Sequence, residues 1–163
     1  MPVTALLVLI ADQITKHFAV AGLLEGQSVE VVSWLAPVLQ ITHVTNTGAA
    51  FGLFRGGGSF FIVIAAIVIV AIIVFSRQLQ DSPWLMRVAL GLQLGGATGN
   101  FVDRLRYDGS VIDFIDLNFW PLREWPVFNV ADSSLVVGVI LLSLLLVDEE
   151  RRERAQQQVA SDG

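Results

Sequence analysis

The 163-residue sequence has no cysteine, so disulfide bonds and thiolate metal sites are excluded. Its two histidines, His17 and His43, are not part of the His-Glu-x-x-His pair of a zinc hydrolase. The Gly-x-Ser-x-Gly turn of serine hydrolases is also missing, and a pairing of Ser133 with Lys16 has no supporting pattern. The net charge is −5, without a basic stripe for nucleic-acid phosphates. These absences leave carboxylates as candidate catalytic groups and predict no metal, no cofactor and no nucleic-acid partner.

Charge of either sign is scarce as well. Charged residues make up 15% of the chain, against about 25% in soluble domains, and the mean hydropathy is +0.67. We therefore predict an integral membrane protein, mainly α-helical, with a single domain over residues 1–163. A helix needs about 20 apolar residues to cross a bilayer. Four segments meet this requirement, at residues 2–24, 59–76, 85–103 and 127–147.

The two ends of the chain differ in character. No basic residue precedes the first apolar run, and Asp12 and Lys16 interrupt it, so we interpret it as a retained span rather than a cleaved signal peptide. Residues 148–163 form a charged, then glutamine-rich tail that is expected to fray into solvent.

Two connecting segments are not membrane-spanning. Residues 25–47 are β-branched and partly alternating, which predicts a small sheet or hairpin outside the lipid. The connection between the third and fourth spans holds Tyr107, Trp120 and Trp125 beside polar residues. Aromatic residues in such surroundings are typical of a segment at the level of the lipid headgroups.

Arginines at the ends of the spans indicate the orientation. Four spans place both termini on the same side of the membrane. Cytoplasmic loops of membrane proteins carry an excess of lysine and arginine, so the distribution of these residues indicates which side that is. The arginines predicted to be cytoplasmic are Arg77, Arg87, Arg151, Arg152 and Arg154. Those predicted at the outer face are Arg55, Arg104, Arg106 and Arg123, a slightly smaller set. We therefore expect both termini in the cytoplasm and the acidic residues around the third and fourth spans at the outer face.

Acidic residues within these spans need a partner or a function. Asp132 lies one turn inside the last span, where an acid costs roughly 2.5–3.5 kcal/mol at mid-bilayer and less near the interface. Asp12 and Lys16 lie four residues apart on one helical face, which favours an ion pair within the bundle. Two carboxyls that meet share one proton, because both cannot easily ionise together. Such a pair can hydrolyse a peptide bond without a covalent intermediate.

Five sequence blocks together resemble the lipoprotein signal peptidases, also called signal peptidase II. They are DQITK at residues 12–16, NTGAAF at 46–51, GGATGNFVDR at 95–104, VIDF at 111–114 and FNVAD at 128–132. The resemblance covers about residues 12 to 147. It implies a membrane aspartic protease with four transmembrane helices, a small extracytoplasmic β-cradle near residues 25–47, and an interfacial helix between the third and fourth spans.

The resemblance also implies roles for residues in these blocks. Asp113 and Asp132 are the expected catalytic pair. Asn46, Asn100, Arg104 and Asn129 are expected to bind substrate, while Asp12, Lys16, Gly48 and Asp103 are expected to support the site. For Asp103 we expect a polar network with its neighbour Arg104.

The implied reaction is removal of the signal peptide from a bacterial prolipoprotein whose cysteine carries diacylglycerol. The expected location is the bacterial cytoplasmic (inner) membrane, with the active site at the outer face and a monomeric protein surrounded by membrane lipids. Buried acids beside a base also mark ion pathways, so a small transporter or proton relay using Asp12 and Lys16 is the alternative. A third hypothesis is a non-catalytic scaffold that binds partners through Gly91, Gly95 and Gly99.

Overall fold

The computed structural model describes residues 1–30, 32–35, 37–48, 57–78 and 83–161, with residues 159–161 as backbone only. Four helices lie where the four spans were predicted: α1 (Pro2–Gly22), α2 (Gly58–Gln78), α3 (Trp84–Arg106) and α4 (Val130–Ser161). Three strands accompany them: β1 (Ser28–Val29), β2 (Leu39–Asn46) and β3 (Val111–Leu117). The prediction of a mainly helical fold with a small sheet is therefore confirmed.

Within the described residues, α1, α2 and α4 are long and apolar enough to cross a membrane. Helix α3 is of similar length but carries polar side chains at buried positions, including Asn100 and Asp103. It contacts α1, α2 and α4, so these neighbours surround it and present the apolar surface instead. That α3 also spans the membrane stays a prediction, because α3 is not among the helices that are apolar enough to cross a membrane by composition alone.

Glycines on α3 allow α1 and α4 to approach its backbone closely. A Cβ atom at Gly91 would lie 2.6 Å from Thr4 Cβ, and one at Gly95 would lie 2.7 Å from the Ala5 carbonyl oxygen on α1. At Gly96 it would run into Ala131 at the start of α4. Small residues at this spacing let helices pack closely in lipid. Because α1 and α4 of the same chain cover this face, it is not free for the partner binding that the scaffold hypothesis requires.

Replacing Gly91 with alanine is expected to destabilise the α1–α3 contact. The new methyl group meets Thr4 Cβ and, at 2.8 Å, the Met1 carbonyl oxygen, neither of which is the end of a flexible side chain. Overpacking of this kind costs about 1–3 kcal/mol. Gly22→Ala is the matched control, because a Cβ there meets nothing within 4 Å. Thermal unfolding in detergent should show a lower Tm for Gly91→Ala alone, and an unchanged Tm would contradict this packing.

The three strands form one antiparallel sheet in the order β1-β2-β3. The hairpin predicted within residues 25–47 corresponds to β1 and β2, with Ser28 opposite Thr42. The third strand comes from the connection between α3 and α4. Its register places Asn46 opposite Val111 at one end and Leu39 opposite Leu117 at the other, with an irregularity between Ile41 and Val44.

Two predictions are not confirmed by these elements. The connection between α3 and α4, residues 107–129, holds β3 and a single 3-10 turn (Leu122–Glu124) where an interfacial helix was expected. Its alternating residues are extended because they pair with β2. The tail also does not fray at residue 148, since α4 continues to Ser161 with exposed ion pairs four residues apart, Asp148 with Arg152 and Glu150 with Arg154.

Candidate active site

Asp113 lies on β3, near the end of the sheet that faces the helices. It pairs with Val44 across the ladder, and the residue is 2% exposed. Asn46 Nδ2 donates to Asp113 Oδ2 at 2.9 Å, and Asn129 Nδ2 donates to Asp113 Oδ1 at 2.6 Å. Asn46 is itself oriented because its Oδ1 accepts from the Gly48 backbone N–H at 3.0 Å. Both oxygens of Asp113 are therefore held by amide donors of fixed orientation.

Asp132 lies in the first turn of α4. Its backbone N–H donates to Asn129 Oδ1 at 2.8 Å, while its Oδ2 accepts from the Asn129 backbone N–H at 3.3 Å. This reciprocal pair is a capping box, in which the residue before the helix and the third helical residue satisfy each other's free amides. Asn100 Nδ2 on α3 donates to Asp132 Oδ1 at 2.7 Å. The start of α4 thus fixes the position of Asp132.

Asn129 connects the two aspartates directly. Its Oδ1 accepts from the Asp132 backbone, and its Nδ2 reaches Asp113 Oδ1. Its Nδ2 also lies 3.1 Å from Asn100 Oδ1 and 3.3 Å from the Ile112 carbonyl oxygen. Asn129 is 0% exposed and does not line the cavity described below. Its amide therefore holds both aspartates in place, and its expected part in binding substrate stays a prediction.

An open cavity of about 550 Å³ lies against both aspartates. Asp113 and Asp132 line it together with the predicted residues Asn46, Gly48, Asn100 and Arg104. The rest of the lining is mostly apolar, and part of it was not anticipated from sequence: Leu117, Leu122, Trp125, Val127, Phe128, Leu135, Val136 and Val137. The structure therefore brings the two predicted acids to one mainly apolar cleft, which is typical of a ligand site with few convergent polar groups.

The surroundings of Asp113 favour its protonated form. Burial raises the pKa of the Asp113 carboxyl to about 7, and the nearby Asp132 carboxylate contributes to the rise. Hydrogen bonds from Asn46 and Asn129 and the charge of Lys16 act in the opposite direction. A carboxyl that keeps its proton near neutral pH, next to another that can ionise, is the arrangement of an acid–base pair.

Arg104 faces the cavity and not Asp103. Its guanidinium lies 5.4 Å from the centroid of the Phe61 ring, a cation–π distance, and one N–H donates to the Asn100 carbonyl oxygen at 3.3 Å. Its Nε–H is buried and finds no acceptor among the residues that the structure describes. Arg104 and Asp103 are linked indirectly, since Asn100 accepts from Arg104 through its backbone and from Lys16 through its side chain, and Lys16 pairs with Asp103. The role expected for Asp103 beside Arg104 stays a prediction.

Asp12, Lys16 and Asp103 form a buried cluster behind the cavity. Lys16 Nζ lies 2.9 Å from Asp12 Oδ2 and 2.8 Å from Asp103 Oδ2, and all three residues are at most 3% exposed. Gln13 was not singled out in the sequence, yet its Nε2 donates to Asp103 Oδ1 at 2.9 Å. Over the described ranges, no group of three or more histidine, aspartate or glutamate side chains has the arrangement of a metal site.

Comparison with known proteins gives concordant matches. A family model described as signal peptidase (SPase) II matches residues 4–147. The lipoprotein signal peptidase of Bacillus subtilis is 41% identical over 156 residues, which covers 93% of this chain and 96% of the relative. That of Syntrophomonas wolfei is 43% identical over 150 residues, covering 91% and 94%.

Solved structures match as well. A bacterial membrane enzyme determined by the in meso method at 2.3 Å resolution superposes with a TM-score of 0.80 at 39% identity, covering 91% of this chain and 87% of that one. A second such enzyme, at 1.9 Å, gives a TM-score of 0.76 at 40% identity, covering 88% and 90%.

Proposed function

This chain belongs to the signal peptidase II family, and we propose that Asp113 and Asp132 are the catalytic pair with which it removes signal peptides from prolipoproteins. The observation that carries the proposal is the shared cavity, in which both carboxyls are oriented by the amides of Asn46, Asn100 and Asn129. Donors that are held before substrate arrives need no rearrangement during the reaction, which is a main source of catalytic rate.

The proposed mechanism is hydrolysis by an activated water. Ionised Asp132 takes a proton from water as the oxygen adds to the scissile carbonyl carbon, while protonated Asp113 donates its proton to the carbonyl oxygen. The tetrahedral intermediate then collapses: the C–N bond breaks, the amine leaves with a proton from Asp132, and one hydroxyl of the gem-diol returns its proton to Asp113 as the C=O bond forms again. The products are a free amine and a carboxyl group, and the pair again holds one proton. The raised pKa of Asp113, about 7, supports its role as the initial proton donor.

The substrate is proposed to be a prolipoprotein with a diacylglycerol-modified cysteine, cleaved just before that cysteine. The apolar side chains of Leu135, Val136 and Val137 on α4 line the cavity next to Asp132, where they suit the signal peptide or acyl chains. Arg104 and Asn100 are proposed to hold carbonyl oxygens of the substrate, since both line the cavity and carry side-chain N–H donors. Such contacts would orient the scissile bond.

The protein is a membrane protein of this family, and we propose how its helices and termini are placed relative to the bilayer. Three apolar helices and the surrounded α3 support four spans, residues 2–24, 59–76, 85–103 and 127–147, within one domain. Both termini are then cytoplasmic, and the sheet and the aspartates lie at the outer face of the bacterial cytoplasmic membrane. Membrane lipids surround a monomer.

The alternative of a transporter or proton relay receives no support from the positions of Asp12 and Lys16. They are 0% and 3% exposed, do not line the cavity, and their polar atoms are satisfied within the bundle. An ion pathway needs access for water at these groups.

The test is cleavage of matched synthetic peptides by the purified protein in detergent or lipid. One peptide carries a diacylglyceryl cysteine and the other an unmodified cysteine. We expect mass spectrometry to show cleavage immediately before the lipid-bearing cysteine and little or none of the unmodified peptide. Equal cleavage of both peptides would contradict the proposed substrate, and no cleavage of either, by a folded protein, would contradict the function.

A further inference from the structure

Lys16 lies between two carboxylates that each hold one catalytic segment. Asp12 Oδ1 accepts from the backbone N–H of Ala131 at 2.9 Å. Asp103 Oδ2 accepts from the backbone N–H of Ile112 at 3.1 Å. Ala131 and Ile112 are the residues immediately before Asp132 and Asp113. Each carboxylate of the buried cluster therefore accepts a backbone hydrogen bond from the residue that immediately precedes one member of the catalytic pair.

The three N–H donors of Lys16 connect these two carboxylates with each other and with Asn100. Its Nζ contacts Asp12 Oδ2 at 2.9 Å and Asp103 Oδ2 at 2.8 Å. The third hydrogen goes to Asn100 Oδ1 at 2.9 Å. This last bond orients the Asn100 amide, because an oxygen turned toward Lys16 leaves Nδ2 turned toward Asp132 Oδ1. An ammonium group has three donors and no acceptor, so all of its capacity is used here.

A cluster that served only to bind α1 to α3 would not need these contacts. Asp12 is on α1 but caps the start of α4, and Asp103 is on α3 but accepts from β3. Lys16 thus links α1 and α3 directly. Through Asp12 and Asp103 it also links α4 and β3, the two segments that carry the proposed catalytic aspartates. We propose that Lys16 is a positioning residue that sets the separation of Asp113 and Asp132 through Asp12, Asp103 and Asn100. The inference rests on the proposed function of that pair.

The test replaces Lys16 with methionine, which keeps an unbranched apolar stem and removes all three donors. Without the ammonium group the two carboxylates repel, and the Asn100 oxygen loses one of its two donors, keeping the one from Asn129. A displacement of about 1 Å in a catalytic group costs about 100-fold, so kcat should fall by that factor while KM stays within about threefold. The measurement is steady-state cleavage of the lipid-modified peptide at a temperature well below the Tm of each variant.

Gly91→Ala is the control, because it loosens the contact of the same two helices away from the cavity. Its Tm should fall while its kcat is retained, which separates loss of stability from loss of positioning. The inference is overturned if folded Lys16→Met has full kcat, or loses no more kcat than Gly91→Ala at an equal drop in Tm.

If Lys16→Met does not fold, Asp103→Asn decides, since it keeps the side-chain volume and one acceptor oxygen. The carboxylate oxygen Oδ2 accepts from both Lys16 and Ile112, while Oδ1 accepts from Gln13 Nε2. The substitution removes the negative charge that pairs with Lys16 and places an NH2 group against either Gln13 or the two other donors. A smaller displacement, with a loss of about tenfold in kcat, is expected, and full kcat overturns the inference. Asp113→Asn is assayed in parallel: if that variant is inactive while the Lys16 and Asp103 variants are fully active, only this inference fails, whereas an active Asp113→Asn removes the proposed function itself.

Discussion

Asp113→Asn and Asp132→Asn are each expected to abolish cleavage while the protein still folds. Loss of a positioned acid or base lowers the rate by about 10²- to 10⁴-fold. Asparagine has the shape of aspartate but can neither give up nor accept a proton at neutral pH, so the water is not activated or the carbonyl oxygen is not protonated. The measurement is kcat on the lipid-modified peptide, with thermal unfolding to show that each variant is folded.

Asp116→Asn is the matched control for this pair. Asp116 lies on the same strand as Asp113 but accepts from Thr42 Oγ1 at 2.6 Å and does not line the cavity. Its substitution should leave kcat nearly unchanged. Full turnover by folded Asp113→Asn would remove Asp113 from the catalytic pair, and an inactive Asp116→Asn would point to a general effect of charge on the sheet.

The helices could be predicted from the sequence for local reasons, and the two candidate acids were chosen through the resemblance of their sequence blocks. An apolar run of about 20 residues determines a helix with little reference to the rest of the chain. The blocks around Asp113 and Asp132 carried the resemblance, and the structure brings both residues to the same cavity. The sheet was predicted in part, since β1 and β2 alternate locally. Strand β3 was missed because its partner β2 is distant in sequence, and its pattern of Asp113, Phe114 and Asp116 also fits a segment at the membrane surface.

The directions of side chains at the site could not be predicted from the sequence. Asp103 was placed in a network with Arg104 because the two are adjacent in sequence, but neighbours on a helix point to different faces. Asp103 instead faces Lys16 on α1, while Arg104 faces the cavity. The contacts of Asn129 with both aspartates were not anticipated: it is the residue immediately before α4 and is fully buried. The position at which α4 begins determines that role, and a helix boundary is among the least certain features of a sequence.

Cleavage is expected to weaken as the pH rises above about 7, the pKa of Asp113. The proposed mechanism requires Asp113 to be protonated, and the protonated fraction falls tenfold for each pH unit above the pKa, so kcat/KM should fall by about 100-fold at pH 9. The free energy of unfolding should also fall as the pH rises. A carboxyl whose pKa is raised by folding contributes stability below its unfolded pKa, near 4, and that contribution is lost as the pH rises through 7.

The two effects can be separated by measuring kcat/KM and Tm on the same samples from pH 5 to 9. Asp132→Asn removes one of the causes that raise the pKa of Asp113. Its decline in Tm with pH should therefore end at lower pH and be smaller in total, and Asp113→Asn should lack this part of the decline. A rate that stays constant to pH 9 in a folded protein would mean that Asp113 works in its ionised form. The roles of acid and base would then be exchanged between the two aspartates, because Asp132 would have to carry the shared proton and protonate the carbonyl oxygen.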